Sequence, residues 1–193
     1  MKTSLFINKE ILSSESDFHY PFSVRRVQDV EMTNQPDVSE MLRLPRRGRV
    51  VALDVGTKKI GVAVSDELQI TARALPVIKR RSWKDLLKTI VSLIAEYDAA
   101  ALVLGLPYNF DGTENEMSGD VRRLHRNFSL SLEIPVFMQD ERLSSRTASE
   151  QLYARGYDLK EIRRRLDGEA ATVILGDFLE LRENLKRRAD ERN

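Results

Sequence analysis

Three acidic positions stand where hydrolytic chemistry on a charged substrate would need them. Asp54 closes the run VVALDVG. Side chains alternate along a strand, so Val50, Ala52 and Asp54 share one face. A carboxylate on an inner strand has to be paired, hydrogen-bonded or bound to a cation; the bland alternative is a turn Asp that satisfies backbone N–H groups. The second position is Gln139-Asp140-Glu141-Arg142, just beyond the apolar run Ile134–Met138, where open α/β sheets place their ligands. A solvated loop with a local Glu–Arg pair is its bland alternative. Asp167, the third, shares a helical face with Ala170, Ala171, Ile174, Phe178, Leu181 and Leu185, either as an N-cap or as a group turned toward the sheet. Brought together, three carboxylates repel unless cations neutralise them. The chain has no Cys and only two His, His19 and His125, so hard oxygen ligands favour Mg²⁺ or Mn²⁺. A pair of such ions activates water and clamps a phosphodiester. Basic residues lie beside each acid: Lys58 and Lys59 near Asp54, Arg142 next to Glu141, and Arg163–Arg165 before Asp167. His125 reads as a helix-surface residue rather than a base.

The elements that must hold these acids follow from the hydrophobic pattern. RVVALDVG reads as a buried strand, Gly56-Thr57-Lys58-Lys59 as a turn, and Ile60–Ser65 as its hairpin partner. A third strand is predicted over Ile70–Val77, giving an antiparallel meander. Trp83, Leu86, Leu87, Ile90, Leu93 and Ile94 form a helical stripe within Ser82–Tyr97. Ala101–Leu106 has the continuous apolar run of a strand covered on both faces. Thr113 and Glu116 suggest a capping box opening a helix toward Asn127. Ile134–Met138 reads as a strand, Ser144–Arg155 as a helix stopped by Gly156, and Asp167–Lys186 as a last helix. The order implies an α/β fold: a five-stranded mixed sheet, with a three-strand meander and two parallel strands, flanked by helices.

Composition sets the outer limits. The 193 residues carry 31 Lys+Arg against 30 Asp+Glu, so net charge neither selects nor excludes a nucleic-acid partner. Absence of Cys excludes disulfide scaffolds, Cys-ligated zinc, iron–sulfur clusters and thiol catalysis. No apolar run is long enough to span a membrane, and no secretory signal is evident, which points to a cytoplasmic protein. Residues 1–47 read as an irregular N-terminal extension, with a short helix near Val38–Leu42, ahead of a domain over 48–193.

The chain resembles the YqgF/RuvX family of ribonuclease-H-like nucleases. The segments that carry the resemblance are Asp54-Val-Gly-Thr-Lys-Lys-Ile-Gly-Val-Ala-Val, Gly105-Leu-Pro-Tyr-Asn-Phe-Asp-Gly-Thr, Asp140-Glu-Arg-Leu-Ser-Ser and Asp167-Gly-Glu-Ala-Ala-Thr-Val-Ile-Leu. Each is weak alone, but four in order with ordinary spacing across about residues 48–187 are specific. The resemblance implies a ribonuclease-H-like fold and a metal-dependent nuclease in maturation of the 5′ end of pre-16S ribosomal RNA. Holliday-junction resolution is the alternative activity proposed for relatives. It also implies Asp54, Glu141 and Asp167 as catalytic, metal-binding acids for two Mg²⁺ or Mn²⁺ ions, with Asp140 able to replace Glu141 in that set. Gly56, Thr57, Lys58, Lys59, Asn109 and Arg142 fall at its substrate contacts. The implied partner is nucleic acid, structured RNA ahead of branched DNA, bound by a monomer or weak homodimer. No membrane partner is implied.

Two other classes fit parts of the pattern. A sugar-kinase or actin-like ATPase also uses Asp-x-Gly-Thr before a hairpin, but it needs a second such domain that this chain lacks. A non-catalytic ribosome-assembly module would keep the fold without cutting, and metal-dependent cleavage lost in Asp54→Asn separates the two.

Overall fold

The computed structural model describes residues 38–109, 111–141 and 159–191, with side chains in the last segment described from Ala170 onward. In chain order the elements are α1 (Val38–Arg43), β1 (Arg49–Val55), β2 (Lys59–Ser65), β3 (Ala72–Lys79), α2 (Trp83–Tyr97), β4 (Ala99–Leu106), α3 (Glu116–Ser131), β5 (Val136–Asp140) and α4 (Leu159–Asp190). The strands form one sheet in the order β3-β2-β1-β4-β5. β1 pairs antiparallel with β2, which pairs antiparallel with β3, whereas β4 is parallel to both β1 and β5. This is the expected meander with two parallel strands added through helical crossovers, a ribonuclease-H-like sheet.

Strand alternation divides the core into two layers. Val51, Leu53 and Val55 of β1 face α2 and α3, where Leu86, Ile90, Ile94, Val121, Leu124 and Phe128 close the layer. Trp83 tilts against Phe128 at 4.9 Å between ring centroids, joining the two helices. Val50 and Ala52 face the opposite way, into a layer with Ala63, Val103, Ala171, Ile174, Leu175 and Phe178. Phe137 of β5 meets Phe178 of α4 there at 5.3 Å.

Several boundaries depart from the sequence reading. β3 begins and ends two residues later than Ile70–Val77. It is an edge strand with most residues exposed, so its pattern does not alternate, and Pro76 is tolerated because one side of the ladder is unpaired. The last helix starts at Leu159 rather than Asp167, because no residue from Leu159 to Leu166 breaks a helix. Asp167 therefore lies inside α4 and is not its N-cap. The capping box is Asn115 with Ser118, not Thr113 with Glu116, and α3 continues to Ser131 rather than Asn127. Thr113 is held in the preceding loop, where Asp111 accepts its backbone N–H at 2.9 Å. The helix expected over Ser144–Arg155 and its stop at Gly156 lie outside the described residues.

Within the extension expected over 1–47, residues 38–47 belong to the packed body. Met41 and Leu44 are buried in the α4 layer. The Arg182 guanidinium, itself buried, donates to the carbonyls of Met41 at 3.2 Å, Leu44 at 2.6 Å and Pro45 at 2.9 Å, and also to the Gln69 side chain. Gln69, with φ of 60°, donates to the Gly48 carbonyl at 2.8 Å. One arginine from α4 thus caps α1 and ties it to the turn between β2 and β3.

Candidate active site

The site lies at the edge of the sheet where β1, β4 and β5 end. Asp54 sits one residue from the end of β1, opposite Gly61 of β2, on the face that Val50 and Ala52 share with α4. Glu141 follows β5, and its N–H donates to the Leu106 carbonyl at 3.2 Å, extending the β4–β5 ladder by one rung. By alternation from Phe137 and Gln139, its side chain belongs to the same α4-facing layer.

Small residues make room for these carboxylates. A Cβ on Gly105 would lie 2.2 Å from Glu141 Oε1 and 2.4 Å from Ile174 Cδ1, so any side chain there would displace both the acid and the helix. Gly61 leaves a similar space: a Cβ on it would meet Asp54 Oδ2 and the Ala171 Cβ, each at 3.6 Å. Ala171 and Ile174 of α4 therefore close over the strands that carry Asp54 and Glu141. Asp167 precedes them by four and seven residues, the spacing of one helix face. Its side chain lies outside those described.

The electrostatics show that the two described acids act on each other. Glu141 is pushed up from 4.5 to about 7, first by burial, then by the negative charge of Asp54, then by that of Asp140. Among the described residues no group of three His, Cys, Asp or Glu is complete enough to hold a metal. The donor set nevertheless fits a hard divalent cation: half-buried carboxylates that repel one another, with no Cys in the chain to offer a soft ligand. Asp54 and Glu141 lie close enough for their charges to interact, and Asp167 lies on α4 one turn before Ala171.

The turn after β1 carries the exposed Thr57, Lys58 and Lys59. Gly56 donates its N–H to the Lys59 carbonyl at 3.0 Å, and a Cβ there would fall 2.7 Å from that oxygen, so the tight turn requires glycine. Arg80 anchors it from outside, donating from Nη1 to the Gly56 carbonyl at 3.2 Å while Nη2 pairs with Asp120 of α3. Asn109 is exposed in the loop after β4, where its N–H donates to the Thr113 carbonyl at 2.9 Å and its Nδ2 to Thr113 Oγ1 at 2.9 Å. Arg142 and Phe110 lie outside the described residues.

Four positions escaped the sequence reading. Gly105 was hidden in a continuous apolar run, although a glycine inside a strand signals close approach. Arg80 and Arg182 act through contacts distant in sequence, which no local pattern displays. Gln139 is 4% exposed on β5, and its Oε1 is buried without a hydrogen-bond partner. His125 is not a surface residue: its Nε2 meets the Val136 carbonyl at 2.9 Å, and burial lowers its pKa. It ties α3 to β5 on the layer away from the acids.

A mixed sheet with acids gathered where its central and parallel strands end, and a lysine-bearing turn beside them, defines the class of nucleases built on the ribonuclease-H-like fold. Residues 48–181 match the family described as "RuvX: Holliday junction resolvase". A relative from Anaeromyxobacter sp. (strain K) named "Putative pre-16S rRNA nuclease" is 42% identical over 138 residues, covering 69% of this chain and 98% of the relative. One of the same name from Thiobacillus denitrificans is 43% identical over 136 residues, covering 70% and 93%. Among solved structures, Thermus thermophilus RuvC aligns with 71% of this chain and 97% of its own, at 13% identity and a TM-score of 0.45. The chain belongs to the RuvX family.

Proposed function

We propose that this protein is a divalent-metal-dependent nuclease that hydrolyses phosphodiester bonds in structured RNA, in 5′-end processing of pre-16S ribosomal RNA in the cytoplasm. The observation that carries the reading is the pair of facing carboxylates, Asp54 and Glu141, with Glu141 raised to about 7 in a space kept open by Gly105 and Gly61. Two half-buried acids that raise each other's charge cost are what a cation site needs, since cations binding between them would relieve the repulsion. The relatives named for pre-16S rRNA support the choice of RNA.

In this reading Asp54, Glu141 and Asp167 would hold Mg²⁺ or Mn²⁺, with Asp140 beside them. The bound ions would supply water activation and stabilisation of the leaving oxygen. Asp54 and Glu141 fix where that charge sits, since one is set in a strand and the other in a ladder extension. Lys58 and Lys59 hold the phosphate from the turn that Gly56 and Thr57 shape, Asn109 contacts the substrate from the loop after β4, and Arg142 adds a further cation. The nuclease domain takes in residues 48–193, with residues 38–47 packed onto it, and one copy suffices for a single cut.

The family description favours a second substrate, four-way DNA, for which two copies would have to face a symmetric junction. The test uses a labelled pre-rRNA 5′ leader and a labelled four-way DNA junction, each with Mg²⁺, Mn²⁺ or EDTA, and Asp54→Asn alongside. Metal-dependent cutting of the RNA, absent in the variant, is expected. Cutting of the junction alone would move the substrate to DNA. Binding of both without cutting under any metal would overturn the nuclease reading in favour of an assembly role.

A further inference from the structure

We propose that a basic groove between the end of β3 and the first turns of α2 is a second contact for the substrate backbone, gripping the RNA strand as it leaves the acids. The inference rests on the nuclease reading above and extends its substrate site beyond the lysine turn. The open groove, about 360 Å³, is lined by the apolar Ile78 and Leu86, by three cations, Lys79, Arg81 and Lys88, and by one acid, Asp85.

Register places the groove at the same end of the strands as the acids but on the opposite, α2-covered face of the sheet, so a strand leaving the acids reaches it by crossing the rim at Lys58 and Lys59. Asp54 pairs with Gly61, and Lys59, two residues nearer the edge, pairs directly with Lys79. Lys79 is thus two strand spacings from the Asp54 strand, roughly 10 Å sideways. The order of charges along this edge is acids, then Lys58 and Lys59, then Lys79, then Arg81 and Lys88.

The charges are not balanced within the fold. Like charges directly opposite across an antiparallel pair destabilise it, and Lys59 against Lys79 is such a pair. Among the described residues, none of Lys59, Lys79, Arg81 and Lys88 forms an ion pair. The nearby acids are already engaged. Asp85 accepts from Ser82 Oγ at 2.8 Å in the α2 cap, and Asp120 is held by Arg80 and Arg123. A polyanion laid across this edge would relieve the repulsion, and the apolar floor suits a ribose or base face between phosphates.

The test measures binding rather than cutting. A fluorescent pre-rRNA leader with a single-stranded flank is titrated in EDTA at several salt concentrations. The proteins are wild type, a triple variant (Lys79→Gln, Arg81→Gln, Lys88→Gln) and a control (Arg187→Gln, Arg188→Gln) at the far end of α4. Each phosphate contact on a single strand contributes about 0.7 to the slope of log affinity against log salt, so the triple variant should lose about 2 from that slope and bind roughly a hundredfold more weakly near 0.1 M salt. The control should keep the wild-type slope. Because the three side chains are on the surface and Lys79→Gln removes the repulsion with Lys59, the melting temperature of the triple variant should equal or slightly exceed that of wild type. A triple variant that binds with the wild-type slope, or a control that falls equally, overturns the groove and leaves the acid centre standing. No binding of RNA or DNA by the wild type would instead overturn the nuclease reading beneath it.

Discussion

Replacing Glu141 with glutamine should make the metal-free protein more stable at alkaline pH, although it removes a proposed metal ligand. Glu141 titrates near 7 in the folded chain against 4.5 when unfolded, because burial and then Asp54 and Asp140 oppose its charge. Below pH 4.5 the carboxyl is protonated in both states, and its contribution to stability is intact. Between 4.5 and about 7 the folded chain keeps a proton that the unfolded chain has lost, so stability falls as pH rises. Above about 7 the loss is complete and amounts to about 3 kcal/mol. Glutamine has nearly the same shape and no charge, so Glu141→Gln should match wild type at pH 4 and exceed it at pH 8 by up to about 3 kcal/mol, or roughly 6–12 °C in Tm. Urea denaturation in EDTA across that pH range measures the difference directly. Excess Mg²⁺ or Mn²⁺ should then narrow the gap, because the wild type gains about 2.7 kcal/mol at a hundredfold excess over Kd and the variant gains less. A difference that does not vary with pH, or a glutamine variant less stable at pH 8, would refute the reasoning.

Two other substitutions test the supports of the site. Gly105→Ala should lower cleavage by at least tenfold and stability by about 1–3 kcal/mol, since its Cβ would press on Glu141 and Ile174; wild-type cleavage with an unchanged urea midpoint would count against the close approach. Arg182→Met should destabilise the chain by about 3 kcal/mol, because the carbonyls of Met41, Leu44 and Pro45 lose their buried donor, and protease cutting before Gly48 should accelerate while the acids remain in place.

What the sequence displayed was set by local periodicity. The face shared by Val50, Ala52 and Asp54 could be read because alternation on a central strand leaves no other choice. The stripe Ala171, Ile174 and Phe178 was equally legible, since burial on one helix face repeats every three or four residues. The beginning of α4 was not legible: Lys160-Glu161-Ile162-Arg163-Arg164-Arg165 is a good helix former with no apolar stripe to mark it. Thr113 misled because Asp111 competes for its N–H and hydroxyl, which leaves Asn115 to cap α3. Spatial proximity was beyond any such reading. That Glu141 lies over Gly105, or that Arg182 reaches Leu44, depends on how the layers meet.

The site is made by subtraction as much as by placement. Each strand that reaches it gives up a side chain or keeps a small one where its neighbours carry Val, Leu or Ile: Gly61 on β2 and Gly105 on β4, with Ala171 facing them from α4. That lets α4 close against the strands beside the two carboxylates, and partial burial raises the effect of their charges on each other. Packing contacts are lost at these positions, and the two layers behind them supply the compensating apolar burial. Without cations the repulsion is relieved by a proton on Glu141, and in the proposed reading divalent ions would compete with that proton for the same geometry that sets Glu141 near 7. The unpaired lysines farther along the edge give the complementary half of the argument. In the proposed reading a phosphate backbone would satisfy them and approach the acids through bound cations, with its scissile bond near the end of β1.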